Sequence, residues 1–137
     1  MPHHKKTHIN KIKKQMKIIE AQHAFIKSKI ITIEQALVSL KHPHDTIAEL
    51  IALLDHVSDH LFTEEHLMRW ISYDNIRDHE AAHDSLRNEF RYRKTVGISR
   101  HVDHLLLYTD QWLRTHEREH DSYLLIFIKQ YLRDLEN

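Results

Sequence analysis

Fifteen of the 137 residues are histidine and none is cysteine. Imidazole and carboxylate without thiolate suit iron, zinc, copper or nickel. The first question is therefore whether any histidines are spaced to share an ion. Four pairs stand i, i+4: His4/His8, His56/His60, His79/His83 and His116/His120. On a helix such a pair lies on one face, about 40° apart. A histidine-rich chain produces this spacing by chance, so what discriminates is which members stand where an apolar residue belongs. The densest stretch is His116-Glu-Arg-Glu-His-Asp121, in which five of six residues are candidate ligands.

The elements that must position these residues follow from apolar spacing. Met16, Ile19, Ile26, Ile30, Ile33, Leu37 and Leu40 advance by threes and fours, with His23 filling the one gap, which is the core stripe of an amphipathic helix. Pro43 disfavours helical geometry at His42 and ends it. Asp45 or Thr46 can cap a second helix with the stripe Ile47, Leu50, Leu54, Val57, Leu61, Glu64, Met68, Ile71. Residues 72–75 read as a turn. A third stripe is Ile76, His79, His83, Leu86, Phe90, and Val96-Gly97 closes it, since glycine suits the left-handed position after a helix. The fourth runs Val102, Leu105, Thr109, Trp112, His116 and extends to Leu124, Ile128 and Leu132.

One glycine and two prolines in the whole chain are too few turn residues for a β-sandwich or an α/β fold. The expected fold is all-α, an antiparallel up-down-up-down four-helix bundle with an N-terminal basic arm and a C-terminal helical extension. Residues 1–15 are expected to be the arm, solvated and partly mobile, and 16–137 the bundle. Residues 1–17 hold six lysines and no acid, leaving a net −6 on the remainder. Overall the charges cancel, and no strong field points to nucleic acid or membrane. The polar N-terminus lacks the apolar region of a signal peptide, and no run approaches the roughly 18–20 apolar residues of a membrane span. An intracellular, cytoplasmic monomer is the expectation.

Each helix therefore points ligand-type residues inward: His23 from the first, His60 and Glu64 from the second, His79 and His83 from the third, His116 from the fourth. One inward histidine is ordinarily a hydrogen-bonded core residue. Five with a carboxylate, converging from four helices, would cost several kcal/mol if left unpaired, and a metal centre satisfies them together. The surplus of imidazoles and a carboxylate able to bridge argue for two ions. The two Glu-x-x-His motifs of ferritin-like di-iron bundles are absent.

Between Ile19 and Asp121 the sequence resembles a hemerythrin of the single-domain bacterial type. Ile-Glu-Ala-Gln-His23 is similar to the family's first-helix signature. His60-Leu-Phe-Thr-Glu64-Glu-His-Leu-Met68 matches its second, His79-Glu-Ala-Ala-His83 its third, and Trp112-Leu-Arg-Thr-His116 followed by Asp121 its fourth. The resemblance implies two non-haem iron ions with an oxo or hydroxo bridge. His79, His83 and His116 would complete one iron, while His23 and His60 would hold the other and leave it an open position. Glu64 and Asp121 would bridge. It implies reversible dioxygen binding for carriage, storage or sensing; the same centre can instead serve a redox or iron-handling role on peroxide or nitric oxide. A histidine-rich bundle that takes up zinc or nickel adventitiously is the plain alternative. Two positions depart from the family pattern: Leu61 stands where phenylalanine is usual, and Glu117 where isoleucine is usual, beside the expected oxygen pocket. Asp121 lies about 140° around a regular helix from His116, whereas His120 shares its face. The resemblance nonetheless makes Asp121 the bridge and leaves His120 a flanking residue.

Overall fold

A computed structural model describes residues 2–39 and 43–137. The core position expected at Leu40 and the stop expected at His42 lie outside them. The described residues form α1 (Pro2–Val38), α2 (Pro43–Trp70), α3 (Ile76–Val96), a short 3-10 turn (Ile98–Arg100), α4 (Val102–His116), a π-helical turn (Glu117–Asp121) and α5 (Ser122–Glu136), with no strand among them. Helix α1 packs on α2, α4 and α5, α2 also on α3 and α4, and α3 on α4. No helix among the described residues is long and apolar enough to cross a membrane.

The segment expected to be a solvated arm is instead the first part of α1. Ile12 is fully buried, and Ile9, Met16 and Ile19 pack beside it against α5. Burying one isoleucine is worth about 1.5–3 kcal/mol, which favours docking this stretch as helix over leaving it loose. Lys13 pairs with Glu136 at 3.1 Å, and His8 Nε2 lies 2.9 Å from the Tyr131 hydroxyl, so the two chain ends are also tied by polar contacts. The lysines sit on the outer surface of that helix.

Helix α2 begins at Pro43, so Asp45 and Thr46 lie inside its first turn and do not cap it. Proline suits this position because its missing N–H would be unpaired there in any residue. At the other end Tyr73 N–H bonds to Met68 O and Ser72 N–H to Arg69 O, with Ser72 at φ 52°. This is the Schellman closure, built on a left-handed serine in place of glycine. Gly97 closes α3 at φ 100°, its N–H on Arg93 O.

Two apolar clusters form the interior. One gathers Ile26, Ile30, Ile33, Leu50, Leu53, Leu54, Val57, Leu61, Leu86, Phe90, Leu105, Leu106 and Leu113. The other gathers Ile12, Leu67, Met68, Ile71, Tyr73, Leu124, Ile128 and Leu132. On every helix the inward polar residues stand between the two: His23 on α1, His60 and Glu64 on α2, His79 and His83 on α3, His116 and Asp121 at the α4–α5 junction. The fold thus places one polar layer between two apolar ones.

Candidate metal centre

Glu64, His79, His83 and His116 are all buried and offer ligand atoms that lie within 4.8 Å of one another. Glu64 Oε1 is 3.1 Å from His83 Nε2, 3.4 Å from His79 Nε2 and 3.7 Å from His116 Nε2. Asp121 Oδ1 stands 3.1 Å from Nε2 of both His79 and His116. The other oxygen of Glu64, Oε2, faces away from this group and lies 3.6 Å from His60 Nε2. His23 stacks on His60 with ring centres 5.3 Å apart and planes 13° from parallel. It is the most exposed of the five candidate histidines, and its Nε2 points to Glu117 Oε2 at 3.6 Å. Of the four i, i+4 pairs, only His79/His83 delivers both members to the buried group.

Asp121 reaches the centre because the helix is not regular there. Ser122 N–H bonds to Glu117 O, an i→i+5 bond, so residues 117–121 take about one wide turn and Asp121 returns to the face of His116. His120 is left stacked on the far side of His116, 5.1 Å ring to ring and 5.5 Å from His79, outside the ligand group. On the same helix Trp112 lies almost parallel to His116 at 4.4 Å and its indole N–H donates to Ser85 Oγ, so the imidazole is held between two rings.

Hydrogen bonds fix which ring nitrogens carry protons. The Thr63 hydroxyl donates to Asp59 O, so it accepts from Gln22 Nε2 at 3.0 Å, which turns Gln22 Oε1 toward His60 Nδ1 at 3.1 Å. His60 therefore donates from Nδ1 and keeps a lone pair on Nε2. His83 Nδ1–H donates to Glu65 Oε2 at 2.9 Å, and Arg87 grips Glu65 through two bonds of 2.7 and 2.8 Å. Carboxylate and amide partners of this kind orient metal-binding imidazoles. Apolar spacing alone did not single out Gln22, Glu65 or Arg87. Glu65 belongs to the second-helix motif as the acid after Glu64, and it is buried beside it.

The electrostatics favour ionised carboxylates, while His79 and His116, lowered by burial, are raised by more through Asp121 and Glu64 and hold protons that a metal must displace. Burial pushes Glu64 up, but contacts from His116, His79 and His83 and the charge of His60 outweigh it and hold the carboxyl well below its usual range. Glu65 is likewise raised by burial and pulled down further by His83 and Arg87, to about 2. Burial, helped by His23, lowers His60 although Glu64 acts to raise it, which favours the neutral imidazole.

Without a cation the arrangement is frustrated. His83 has already committed its proton on Nδ1, so its Nε2 brings a lone pair to within 3.1 Å of Glu64 Oε1, which has no proton to donate. Buried Asp121 Oδ1 lies near two imidazoles but makes no aligned hydrogen bond, and the buried Nδ1 atoms of His79 and His116 have no partner. Two donors about 2.1 Å from one ion stand roughly 3.0–3.6 Å apart, the range of most of these contacts. Nitrogen and oxygen donors without sulfur complete a set that fits a transition-metal ion.

Beside the centre, between α1 and the α4–α5 junction, lies a pocket of about 300 Å³. Met16, Ile19, Leu124, Leu125 and Ile128 form its apolar walls, and His23, Glu64, Glu117 and Asp121 its polar end. Glu117 is therefore a pocket residue, held at the rim by Lys27 at 3.2 Å. Comparison with models of known protein families, with curated proteins and with solved structures gave no match.

Proposed function

We propose that this chain is a hemerythrin-like protein, an antiparallel up-down-up-down four-helix bundle that holds two non-haem iron ions and binds dioxygen reversibly. One observation carries the reading: the two oxygens of buried Glu64 face two different groups of imidazoles, His79, His83 and His116 on one side and His60 on the other. A carboxylate so placed would bridge two ions, whereas a single ion would use only the first group. His79, His83 and His116 would hold one iron, His23 and His60 the other, with Glu64 and Asp121 between them. Such a pair would supply the two-electron redox chemistry that reversible dioxygen binding requires.

The chain's own residues do the rest. Glu65 and Gln22 keep Nε2 of His83 and His60 unprotonated and aimed at Glu64. Trp112 and Ser85 fix the plane of His116. Met16, Ile19, Leu124, Leu125 and Ile128 line an apolar approach that suits a small uncharged ligand. The same pocket favours a second reading, a redox or iron-handling role, because Glu117 puts a carboxylate among its walls. Purification in air, an iron assay and a visible spectrum separate the two. A charge-transfer band that vanishes under vacuum and returns with oxygen supports carriage. Rapid irreversible bleaching favours the second reading, and a colourless protein without iron sinks both.

A further inference from the structure

We propose that Glu117 is itself a metal ligand, closing the coordination position that His23, His60 and Glu64 leave open on their ion. The inference rests on the two-ion reading above and deepens it. Its starting point is the unequal supply of donors. Around Glu64 Oε1 stand three imidazoles and Asp121 Oδ1, whereas around Oε2 stand only His60 and, beyond it, His23. Glu117 brings a further anionic donor to the poorer side, its Oε2 3.6 Å from His23 Nε2. That is within the spacing of two donors on one ion and matches the 3.6 Å between His60 Nε2 and Glu64 Oε2.

Glu117 is also placed to move. It opens the π-helical turn, lines the pocket, and is 41% exposed. Its outer partner is Lys27, 55% exposed, at 3.2 and 3.4 Å. An exposed lysine–glutamate pair is worth little, so it cannot compete with a divalent ion for the same carboxylate. Lys27 holds Glu117 at the rim in the metal-free chain, and the loaded centre draws it inward. A small ligand must then displace a carboxylate, which lowers its affinity and favours turnover over storage.

The test uses the full-length chain freed of metal and titrated with Co(II), with calorimetry for affinity and the visible spectrum for coordination number. The wild type is expected to take two ions. Glu117→Gln should weaken the second at least tenfold and leave the first unchanged, while Lys27→Met should leave the second as tight as wild type or tighter. In iron-loaded, oxidised protein, Glu117→Gln should bind azide at least tenfold more tightly. If both variants weaken the second ion alike, Glu117 acts only through its ion pair and the inference fails. Two ions bound with unchanged affinity in both variants overturn it as well, and leave the two-ion reading standing. A wild type that takes a single ion overturns that reading and this inference together. Neither position is buried, and circular dichroism of each variant checks that it is folded.

Discussion

Asp121 and His120 are neighbours in sequence with opposite surroundings. Asp121 Oδ1 touches two imidazoles of the buried group, while His120 stacks on the back of His116 and stands outside the group of ligand atoms. Asp121→Ala should therefore abolish the paired-metal spectrum and weaken the second ion by roughly 100-fold or more, whereas His120→Ala should cost less than about tenfold. Parallel metal titrations of the two variants decide it, and the reverse order would mean that the turn delivers the wrong residue. His79 supplies the pH dependence. In the metal-free chain burial lowers its pKa, but Asp121 and Glu64 raise it by more, to about 9. A raised imidazole pKa stabilises the fold below the unfolded value of 6.5, and that contribution fades as pH rises through 9. A metal must displace the same proton. Because His116 is raised as well, apparent affinity should climb at least tenfold per pH unit below 9 and level off above it, as read by competition with a chelator of known pH dependence. A flat profile would remove His79 from the ligand set.

At the scale of elements, the π-helical turn decides which residues face the centre. The inward series on the last helix is Thr109, Leu113, His116, Asp121, Leu124, Ile128, Leu132, which advances by threes and fours except for one step of five. The turn absorbs that single surplus residue. Deleting Glu119 should restore a regular helix with Asp121 and the α5 stripe still inward, changing stability by about 1 kcal/mol or less. Inserting one alanine beside it should rotate Leu124, Ile128 and Leu132 by about 100° and cost several kcal/mol, as measured by thermal melts of the two variants. The same element marks where sequence reading ended. Helical periodicity located the buried faces of α2, α3 and α4, because most of their residues keep the regular step and burial follows it directly. Regular geometry through residues 117–121 sets Asp121 off the face, and the slip in the stripe marks the wide turn that restores it. Periodicity could not find Gln22 or Arg87, since their partners His60 and Glu65 lie on other helices, and only packing brings them together. The basic segment misled for a different reason: its lysines dominate its composition, while its fold is set by Ile9, Ile12 and Met16 on the opposite face.

Across the whole molecule, the polar layer joins two apolar bodies of unequal size. The larger holds most of α2 with α3, α4 and the later part of α1; the smaller packs α5 and the beginning of α1 on the end of α2 and the turn after it. Glu64 and Asp121 sit at the seam, so a metal at the centre ties α2 and α3 to the start of α5. Loading a site at 100 times its dissociation constant adds about 2.7 kcal/mol of stability, which for a chain of this size raises the melting temperature by roughly 8 °C. The gain should not be evenly spread. Without metal the larger cluster keeps its packing, while the smaller loses its link through Asp121 and keeps its packing on the end of α2, and local opening is set by the contacts that remain. Hydrogen exchange after chelation should therefore accelerate about 100-fold at Leu124, Ile128 and Ile12, and little at Leu54, Val57 and Leu86. Equal acceleration in both clusters would mean that the two bodies open as one unit. No acceleration in either, with metal demonstrably removed, would mean that the ion is held somewhere other than this seam.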